Sequence, residues 1–266
     1  MTIKLHHSVT GPAEEAAFAE APAVVLLHGL FGMGSNLGAL ARELREDFRV
    51  FSVDLPNHGK SDWLEAADIP TMAQCVGRWM AQQSLQQAHF VGHSLGGKVA
   101  MELALQDGSR VAALCVADIA PVHYPPHHDD VFAALQAVAD AQCGSRAEAA
   151  AIMALSLEED MLIQFLLMSL RRDADGVYQW RFNLPAIIEN YEAIRAGLEA
   201  EEPFSPPVLF IKGEQSDYIL PNHRDPIMVL FPHATLKVMP GCGHWLHAEQ
   251  PRLFNSVVRR FLTSVE

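Results

Sequence analysis

The sequence has few of the features expected of a secreted, membrane-spanning or metal-binding protein. It contains four cysteines, at positions 75, 115, 143 and 242, and no CxxC pair, so neither a zinc site nor a redox motif is predicted. Free thiols are typical of a reducing compartment. No apolar run approaches the roughly eighteen residues that a transmembrane helix needs.

Basic residues are also scarce. Nineteen Lys and Arg residues face 32 Asp and Glu residues, which gives a formal net charge of −13. This balance argues against nucleic acid and anionic membrane partners, because both are bound through clustered cations. The first 25 residues include acidic side chains and have no basic start followed by an apolar stretch, so we expect no secretory signal and a cytoplasmic location.

Half of the 266 residues are hydrophobic, enough for one large α/β domain or a core domain with one insertion. Short apolar runs alternate with longer amphipathic segments. The runs that predict strands are VVLLHG (24–29), RVFSVD (49–54), AHFVGH (88–93), VAALCVADIA (111–120), PVLFIKGE (207–214) and ATLKVMPGCGH (234–244). Continuous apolar strands separated by helices predict a doubly wound, mostly parallel α/β sheet covered on both faces.

The strand pattern stops between Pro121 and Pro207, where three helical patterns follow one another at 130–142, 145–170 and 184–200. This stretch is too long for a simple connection. We predict a helical cap at 121–206, inserted after the sixth strand of a core formed by 1–120 and 207–266. Such an insertion would cover the crevice in which open α/β sheets bind ligands.

A glycine-rich turn joins the third of these apolar runs to the next helix. In GHSLGG, Gly92 and Gly96 flank Ser94 at two residues on either side. Small residues at these positions let a sharp turn lift the serine hydroxyl above the sheet, and the Leu95 amide then lies at a helix N-terminus that favours a negative oxygen. The pattern predicts that Ser94 is a nucleophile and Leu95 an oxyanion donor.

A serine nucleophile needs a base and a second oxyanion donor. His244, in PGCGHW after the last predicted strand, is placed to be the base. The second donor should come from the loop HGLFG (28–32), where we favour the amide of Leu30, with Phe31 as the alternative.

Six motifs together show a family resemblance: HGLFG, DLPNHGKSDW, GHSLGGK, ADIAPV, WRFN and GCGHWLHAEQP. The chain strongly resembles the α/β-hydrolase superfamily over nearly its whole length, and within it the bacterial YbfF-type esterases. The resemblance implies a Ser-His-Asp triad, a helical cap, and action on carboxylic esters and acyl thioesters. It also implies Asp118 of ADIAPV as the acid. Asp217, in KGEQSDYILP, remains the alternative, although Ser216 holds the usual acid position in that loop.

Other motifs favour structural roles. Asp54 and His58 are interpreted as turn-shaping residues, and His93 as a packing residue beside the nucleophile. Consecutive residues rarely converge on one ion, so 127–130 (HHDD) is not predicted to bind metal. Gly97 stands where a Ser-x-x-Lys pair with Ser94 would need its lysine, which excludes Lys98 from that role.

The acyl pocket is expected to include Phe31 and Phe165. The segment MLIQFLLMSL (161–170) is apolar around most of a helix, with Met161, Phe165 and Met168 at helical spacing. We therefore predict a cofactor-free serine esterase with a short-to-medium acyl preference, a small-molecule partner, and a monomeric or homodimeric state. The alternatives are a cofactor-free haloperoxidase or perhydrolase, a carbon–carbon bond hydrolase, and a non-catalytic binding module.

Overall fold

The chain is described by a computed structural model that covers residues 3–265. Seven strands form the main sheet, in the order β1-β3-β2-β4-β5-β8-β9, and two more form a separate hairpin, β6-β7. The strands are β1 (His7–Thr10), β2 (Ala23–Leu27), β3 (Arg49–Val53), β4 (Ala88–His93), β5 (Val111–Ala117), β6 (Leu170–Arg172), β7 (Tyr178–Trp180), β8 (Val208–Gly213) and β9 (Ala234–Met239). Only β1 pairs antiparallel within the main sheet, so the prediction of a mostly parallel sheet is confirmed.

Helices cover both faces of this sheet. Before the insertion they are α1 (Glu15–Glu20), α2 (Gly38–Leu44), α3 (Ile69–Gln82) and α4 (Leu95–Gln106). Successive residues of β2 belong to different apolar clusters: Val25 lies in the cluster of α3 and α4, and Val24 in the cluster of α2. Since successive strand side chains point to opposite faces, each face has its own core.

The inserted segment contains five helices and the hairpin. The helices are α5 (Asp129–Ala141), α6 (Arg146–Met153), α7 (Asp160–Met168), α8 (Leu184–Glu189) and α9 (Tyr191–Ile194). Side chains define several starts: Ser145 accepts a hydrogen bond from the Glu148 amide at 3.2 Å, and Asn183 accepts one from the Ala186 amide at 3.4 Å. The helical pattern at 145–170 corresponds to two helices, because residues 154–159 are not helical.

The position of the insertion needs one correction. It follows β5, which is the fifth strand of residues 3–265 and not the sixth. Four strands precede β5 in the described chain, and one of them, β1, is a short antiparallel edge strand that the sequence pattern did not predict.

After β8 the chain forms α10 (Arg224–Leu230), α11 (Leu246–Glu249) and α12 (Pro251–Ser264). Pro251 is the first residue of α12, as expected from its fixed φ. None of the helices found in residues 3–265 combines the length and apolar character that crossing a bilayer requires.

Candidate active site

The carboxyl ends of four neighbouring strands meet at one edge of the sheet. In the register of the sheet, Leu27 of β2 lies opposite Gly92 of β4, and Ala117 of β5 lies opposite Ile211 of β8. Parallel strands end at the same edge, so the residues that follow them become neighbours. These are the loop from His28, the turn at Ser94, the turn at Asp118 and the loop after Gly213.

Ser94 occupies a strained turn between β4 and α4. Its φ is 51° and its ψ is −118°, a region that residues with a side chain rarely adopt. A Cβ atom added to Gly92 would collide with the carbonyl of Gly96, and one added to Gly96 would collide with the carbonyl of Leu27. Strain of this kind costs on the order of 1–3 kcal/mol and is typical of active sites. The two glycines are needed because the turn brings backbone segments into direct contact.

Asp118 and His244 form a hydrogen-bonded pair. The Oδ2 atom of Asp118 lies 2.8 Å from Nδ1 of His244. Asp118 is fully buried, and it also accepts hydrogen bonds from the Gly213 amide, at 2.9 Å to Oδ1, and from the Ser216 hydroxyl. A buried carboxylate requires such partners. Asp217, the alternative acid, is exposed.

Of the three backbone amides considered as oxyanion donors, two are free to bind a substrate oxygen. The Phe31 amide donates to Nε2 of His58 at 3.2 Å, so it is already engaged. Within residues 3–265, the amides of Leu30 and Leu95 donate no hydrogen bond to another protein group, and both residues line the same cavity as Ser94. The geometry therefore favours Leu30 over Phe31.

Two buried histidines shape the loop that contains Leu30. His58 donates from Nδ1 to the Pro56 carbonyl at 2.9 Å, and His28 donates from Nδ1 to the Gly29 carbonyl at 2.8 Å. Nε2 of His28 accepts from the Leu55 amide at 3.0 Å. Burial lowers the pKa of His28 and lowers the pKa of His58 to about 3. Both rings are neutral hydrogen-bond bridges, which agrees with the structural role predicted for His58.

The residues of WRFN (180–183) connect the inserted segment to this loop. Phe182 packs against Phe31, with ring centroids 5.2 Å apart, and the Asn183 amide donates to the carbonyl of Asn57 at 2.9 Å. The hydroxyl of Ser169 donates to the carbonyl of Phe31 at 2.6 Å. The loop at 28–32 is thus held both by the buried histidines His28 and His58 and by residues of the inserted segment.

Lys98 joins α4 to the inserted segment. Its buried ammonium donates to the carbonyls of Val122 at 3.0 Å and Arg195 at 3.1 Å, and also to that of Ala196. Burial lowers the pKa of Lys98 to about 7, and the three carbonyl contacts favour its charged form. Val122 lies at the start of the insertion and Arg195 directly follows α9, its last helix, so one side chain ties two distant parts of the insertion to the helix that follows Ser94.

Ser94 and His244 both line a cavity of about 260 Å³. The other lining residues are Gly29, Leu30, Phe31, His93, Leu95, Lys98, Ile119, Tyr124, His127, His128, Val131, Glu159, Leu162, Tyr191, Ile194, Arg195, Tyr218 and Trp245. Most of these residues come from the inserted segment or are apolar. Leu30, Leu95 and Phe31 therefore line the same cavity as Ser94.

Phe165 does not line this cavity, which corrects the sequence prediction. Its ring is buried and packs against Trp245, with centroids 4.2 Å apart. Leu162, one turn earlier on α7, lines the cavity instead, and Met161 and Met168 are about half exposed. Helical spacing alone does not determine which side of an all-apolar helix faces the cleft.

His93, the residue before Ser94, is almost fully buried although it borders the cavity. His93 is buried and donates from Nε2 to the carbonyl of His244 at 2.9 Å, and its ring lies 4.4 Å from that of His247. These contacts fit the packing role predicted for His93. Among residues 3–265, no group of three or more His, Cys, Asp or Glu side chains is arranged to hold a metal ion.

Comparisons with known proteins place these features in a family context. The model of the alpha/beta hydrolase family matches residues 24–257. Esterase YbfF of Escherichia coli (strain K12) is 42% identical over 240 residues, which cover 90% of this chain and 92% of that protein. The sn-1-specific diacylglycerol lipase ABHD11 of Mus musculus is 38% identical over 91% of this chain and 81% of its own length. A solved structure of a marine microorganism esterase superposes with a TM-score of 0.92 at 33% identity, over 97% of this chain and 99% of that one.

Proposed function

Because this chain belongs to the α/β-hydrolase family and is an enzyme of the serine carboxylesterase type, we propose that it hydrolyses carboxylic esters through an acyl-enzyme on Ser94. His244 is the general base and acid, and Asp118 orients it. The observation that supports this proposal most directly is the Asp118–His244 hydrogen bond of 2.8 Å beside a cavity that also contains Ser94.

The proposed reaction begins when the neutral imidazole of His244 removes the proton of the Ser94 hydroxyl. The serine oxygen attacks the acyl carbon, and the negative charge that develops on the carbonyl oxygen is stabilised by the amides of Leu30 and Leu95. His244 then donates the proton to the departing alkoxide, which leaves as an alcohol. Asp118 stabilises the imidazolium that exists between these two transfers.

Deacylation repeats the sequence with water as the nucleophile. His244 accepts a proton from water, the hydroxide attacks the acyl carbon, and the carboxylic acid leaves as the serine recovers its proton. No cofactor takes part in this scheme. The same steps act on an acyl thioester, in which a thiol replaces the alcohol, so we include thioesters in the proposed substrate range.

The cavity supports a short-to-medium acyl group. Its volume of about 260 Å³ is slightly below that of typical ligand pockets, which range from roughly 300 to 1,000 Å³. Apolar side chains such as Leu162 and Phe31 line it, and these suit an alkyl chain. A long chain would have to extend out of the cavity.

Labelling with a fluorophosphonate probe tests the proposal. We expect one covalent adduct, located by peptide mass spectrometry on the segment containing Ser94. Ser94→Ala should fold, fail to label and lose ester turnover by a factor of roughly 10³ or more. Ser156→Ala, which removes an exposed hydroxyl of the inserted segment, is the matched control and should behave as wild type. Labelling of a folded Ser94→Ala variant would overturn the proposal.

A series of p-nitrophenyl esters and acyl thioesters from acetyl to decanoyl tests the substrate range. The expected result is a kcat/KM maximum at short-to-medium length in both series. A maximum at decanoyl in both would contradict the size argument while leaving the serine mechanism intact.

A further inference from the structure

An aromatic ring stacks directly on the imidazole of His244. The Tyr218 ring lies with its centroid 3.9 Å from that of His244, and the two planes differ by 20°. On the Nδ1 side His244 is held by Asp118, and its ring is also near that of His93, with centroids 4.8 Å apart. Tyr218 therefore covers a face of the ring that the Asp118 hydrogen bond does not restrain.

The Tyr218 backbone is fixed by the same network that holds Asp118. Its amide donates to the Ser216 hydroxyl oxygen at 3.2 Å, and that hydroxyl donates to Asp118. Its carbonyl accepts from the Tyr124 hydroxyl at 2.5 Å. The tyrosine is therefore built into the hydrogen-bonded structure around the acid, although its side chain lines the cavity.

The Tyr218 hydroxyl contacts the inserted segment. Its oxygen lies 2.6 Å from Nε2 of His127, and Nδ1 of His127 lies 2.9 Å from the carbonyl of Pro125. A carbonyl can only accept, so Nδ1 carries a proton, and in the tautomer protonated at Nδ1 alone, Nε2 accepts from the tyrosine hydroxyl. The residues His127, Tyr218 and His244 thus form a continuous contact from the insertion to the proposed base.

From these contacts we propose that Tyr218 is a positioning residue for His244. Its ring keeps the imidazole in the plane required by Asp118 and Ser94, and its π face stabilises the imidazolium that forms during each proton transfer. The hydroxyl bond to His127 makes this stack depend on the docked position of the inserted segment. The inference rests on the proposed function, in which His244 is the base.

Several titratable groups besides Tyr218 lie near His244. The Asp118 carboxylate is hydrogen-bonded to it, and the pKa values of His93, His247 and His128 are lowered by burial and, to a smaller extent, by the nearby His244. A pH experiment must therefore keep these residues constant and change only position 218 and, separately, position 127.

Three substitutions at Tyr218 separate stacking from hydrogen bonding. Tyr218→Phe keeps the ring and removes the hydroxyl, Tyr218→Leu keeps an apolar side chain and removes the ring, and Tyr218→Trp restores an aromatic face. The measurements are kcat and KM for p-nitrophenyl butyrate, the pH profile of kcat/KM, and the rate of fluorophosphonate labelling.

We expect Tyr218→Phe to retain kcat within about 3-fold. Tyr218→Leu should lower kcat and the labelling rate by about 10- to 100-fold, with a smaller change in KM. The acid limb of its pH profile should move to lower pH by on the order of one unit, because the imidazolium loses a cation–π contact. Tyr218→Trp should recover part of the loss, which a role in folding alone would not predict.

The outcomes distinguish a failure of this inference from a failure of the proposed function. If wild type labels at Ser94 while Tyr218→Leu raises only KM and keeps kcat and the pH profile, Tyr218 merely lines the pocket and the inference is overturned. If Tyr218→Leu does not fold, Tyr218→Met replaces it as the variant without a ring. A kcat and pH profile of Tyr218→Met equal to those of Tyr218→Phe and Tyr218→Trp would then overturn the inference. If wild type does not label at Ser94, the proposed function fails and this inference fails with it.

His127→Ala tests the link to the inserted segment. We expect a smaller loss of kcat than in Tyr218→Leu, and little additional loss when it is combined with Tyr218→Phe, because both remove the same hydrogen bond. Fully additive losses in the double variant would show that the two side chains act independently.

Discussion

The hydroxyl of Ser216 donates a hydrogen bond to Oδ2 of Asp118, the same carboxylate oxygen that contacts Nδ1 of His244. Ser216 stands at the position of its loop where many α/β-hydrolases have their acid. In this chain the acid comes from the end of β5, and the serine supports it from the neighbouring strand end. The two loops therefore build one carboxylate site together.

Removing the Ser216 hydroxyl should weaken this site without abolishing it. A hydrogen bond to a charged group contributes about 1.5–3 kcal/mol, so Ser216→Ala should lower the free energy of unfolding by about that amount. We expect kcat to fall by roughly 10-fold because Asp118 can move relative to His244. Urea unfolding and steady-state kinetics measure the two effects. Ser216→Thr, which keeps the hydroxyl, is the control, and an equal loss in both variants would argue against a hydrogen-bonding role.

Asp118→Asn should lower kcat by several orders of magnitude, as loss of the orienting carboxylate does in serine hydrolases. An amide at this position no longer favours the required tautomer of His244 or its cation. Asp217→Asn changes an exposed carboxylate in the loop after β8 and should change kcat less than 3-fold. Circular dichroism of both variants verifies folding, and the opposite ranking of kcat would transfer the role to Asp217.

Acidification should destabilise the fold in part through His58. Its pKa is lowered by burial to about 3 in the folded protein, against about 6.5 in an unfolded chain. Between these values the unfolded chain binds the additional proton, so stability is lost as the pH falls from about 6.5 toward 3. The slope for one such group is at most about 1.4 kcal/mol per pH unit.

His58→Gln isolates this contribution. We expect the variant to be less stable than wild type at pH 7, because the hydrogen bonds of Phe31 and Pro56 are weakened, and the difference should shrink as the pH is lowered to 5. Urea unfolding at pH 7, 6 and 5 provides the comparison. A difference that stays constant across these values would mean that His58 does not titrate on unfolding.

Acyl-chain preference should respond to Leu162. Leu162→Ala enlarges the cavity and should move the kcat/KM optimum to longer acyl chains, since each buried methylene contributes about 0.8 kcal/mol, or about 4-fold. Met161→Ala, on the exposed side of the same helix, should leave the optimum unchanged. Phe165→Ala should shift it less than Leu162→Ala, because Phe165 does not line the cavity and packs against Trp245, which does. An optimum unaffected by Leu162→Ala would place the acyl chain elsewhere.

The sequence pattern predicted six of the seven strands described in the main sheet, including the edge strand β9, but missed β1 and the hairpin β6-β7. Strands β2, β4 and β8 are almost entirely buried and mostly apolar, and this signal is strong because both faces of the sheet are covered by helices. The edge strand β1 has the sequence HSVT, and the hairpin strands have only three residues each. Such short polar segments become strands through pairing with partners that the local sequence does not specify.

The site residues also divide into those that motifs suggest and those that depend on contacts between distant parts of the chain. Ser94 and His244 could be proposed from motifs because each follows a strand end, and strand ends share an edge. Asp118 could be chosen over Asp217 only through the family resemblance, because both follow strand ends. The stacking of Tyr218 on His244 and its bond to His127 depend on contacts between residues 26 and 91 positions apart. No local pattern predicts such contacts, and the orientation of α7 that directs Leu162 rather than Phe165 into the cavity is set by packing in the same way.

The Lys98 ammonium, bound by carbonyls from the start of the inserted segment and from the end of its last helix, limits how this enzyme can be redesigned. Exchanging the insertion for that of another hydrolase would leave a buried cation one helical turn from the nucleophile without its acceptors. A graft would therefore have to bring carbonyls to the same three places or replace the lysine at the same time. The insertion is not an interchangeable module, and any chimera that retains Lys98 has to be designed around that one side chain.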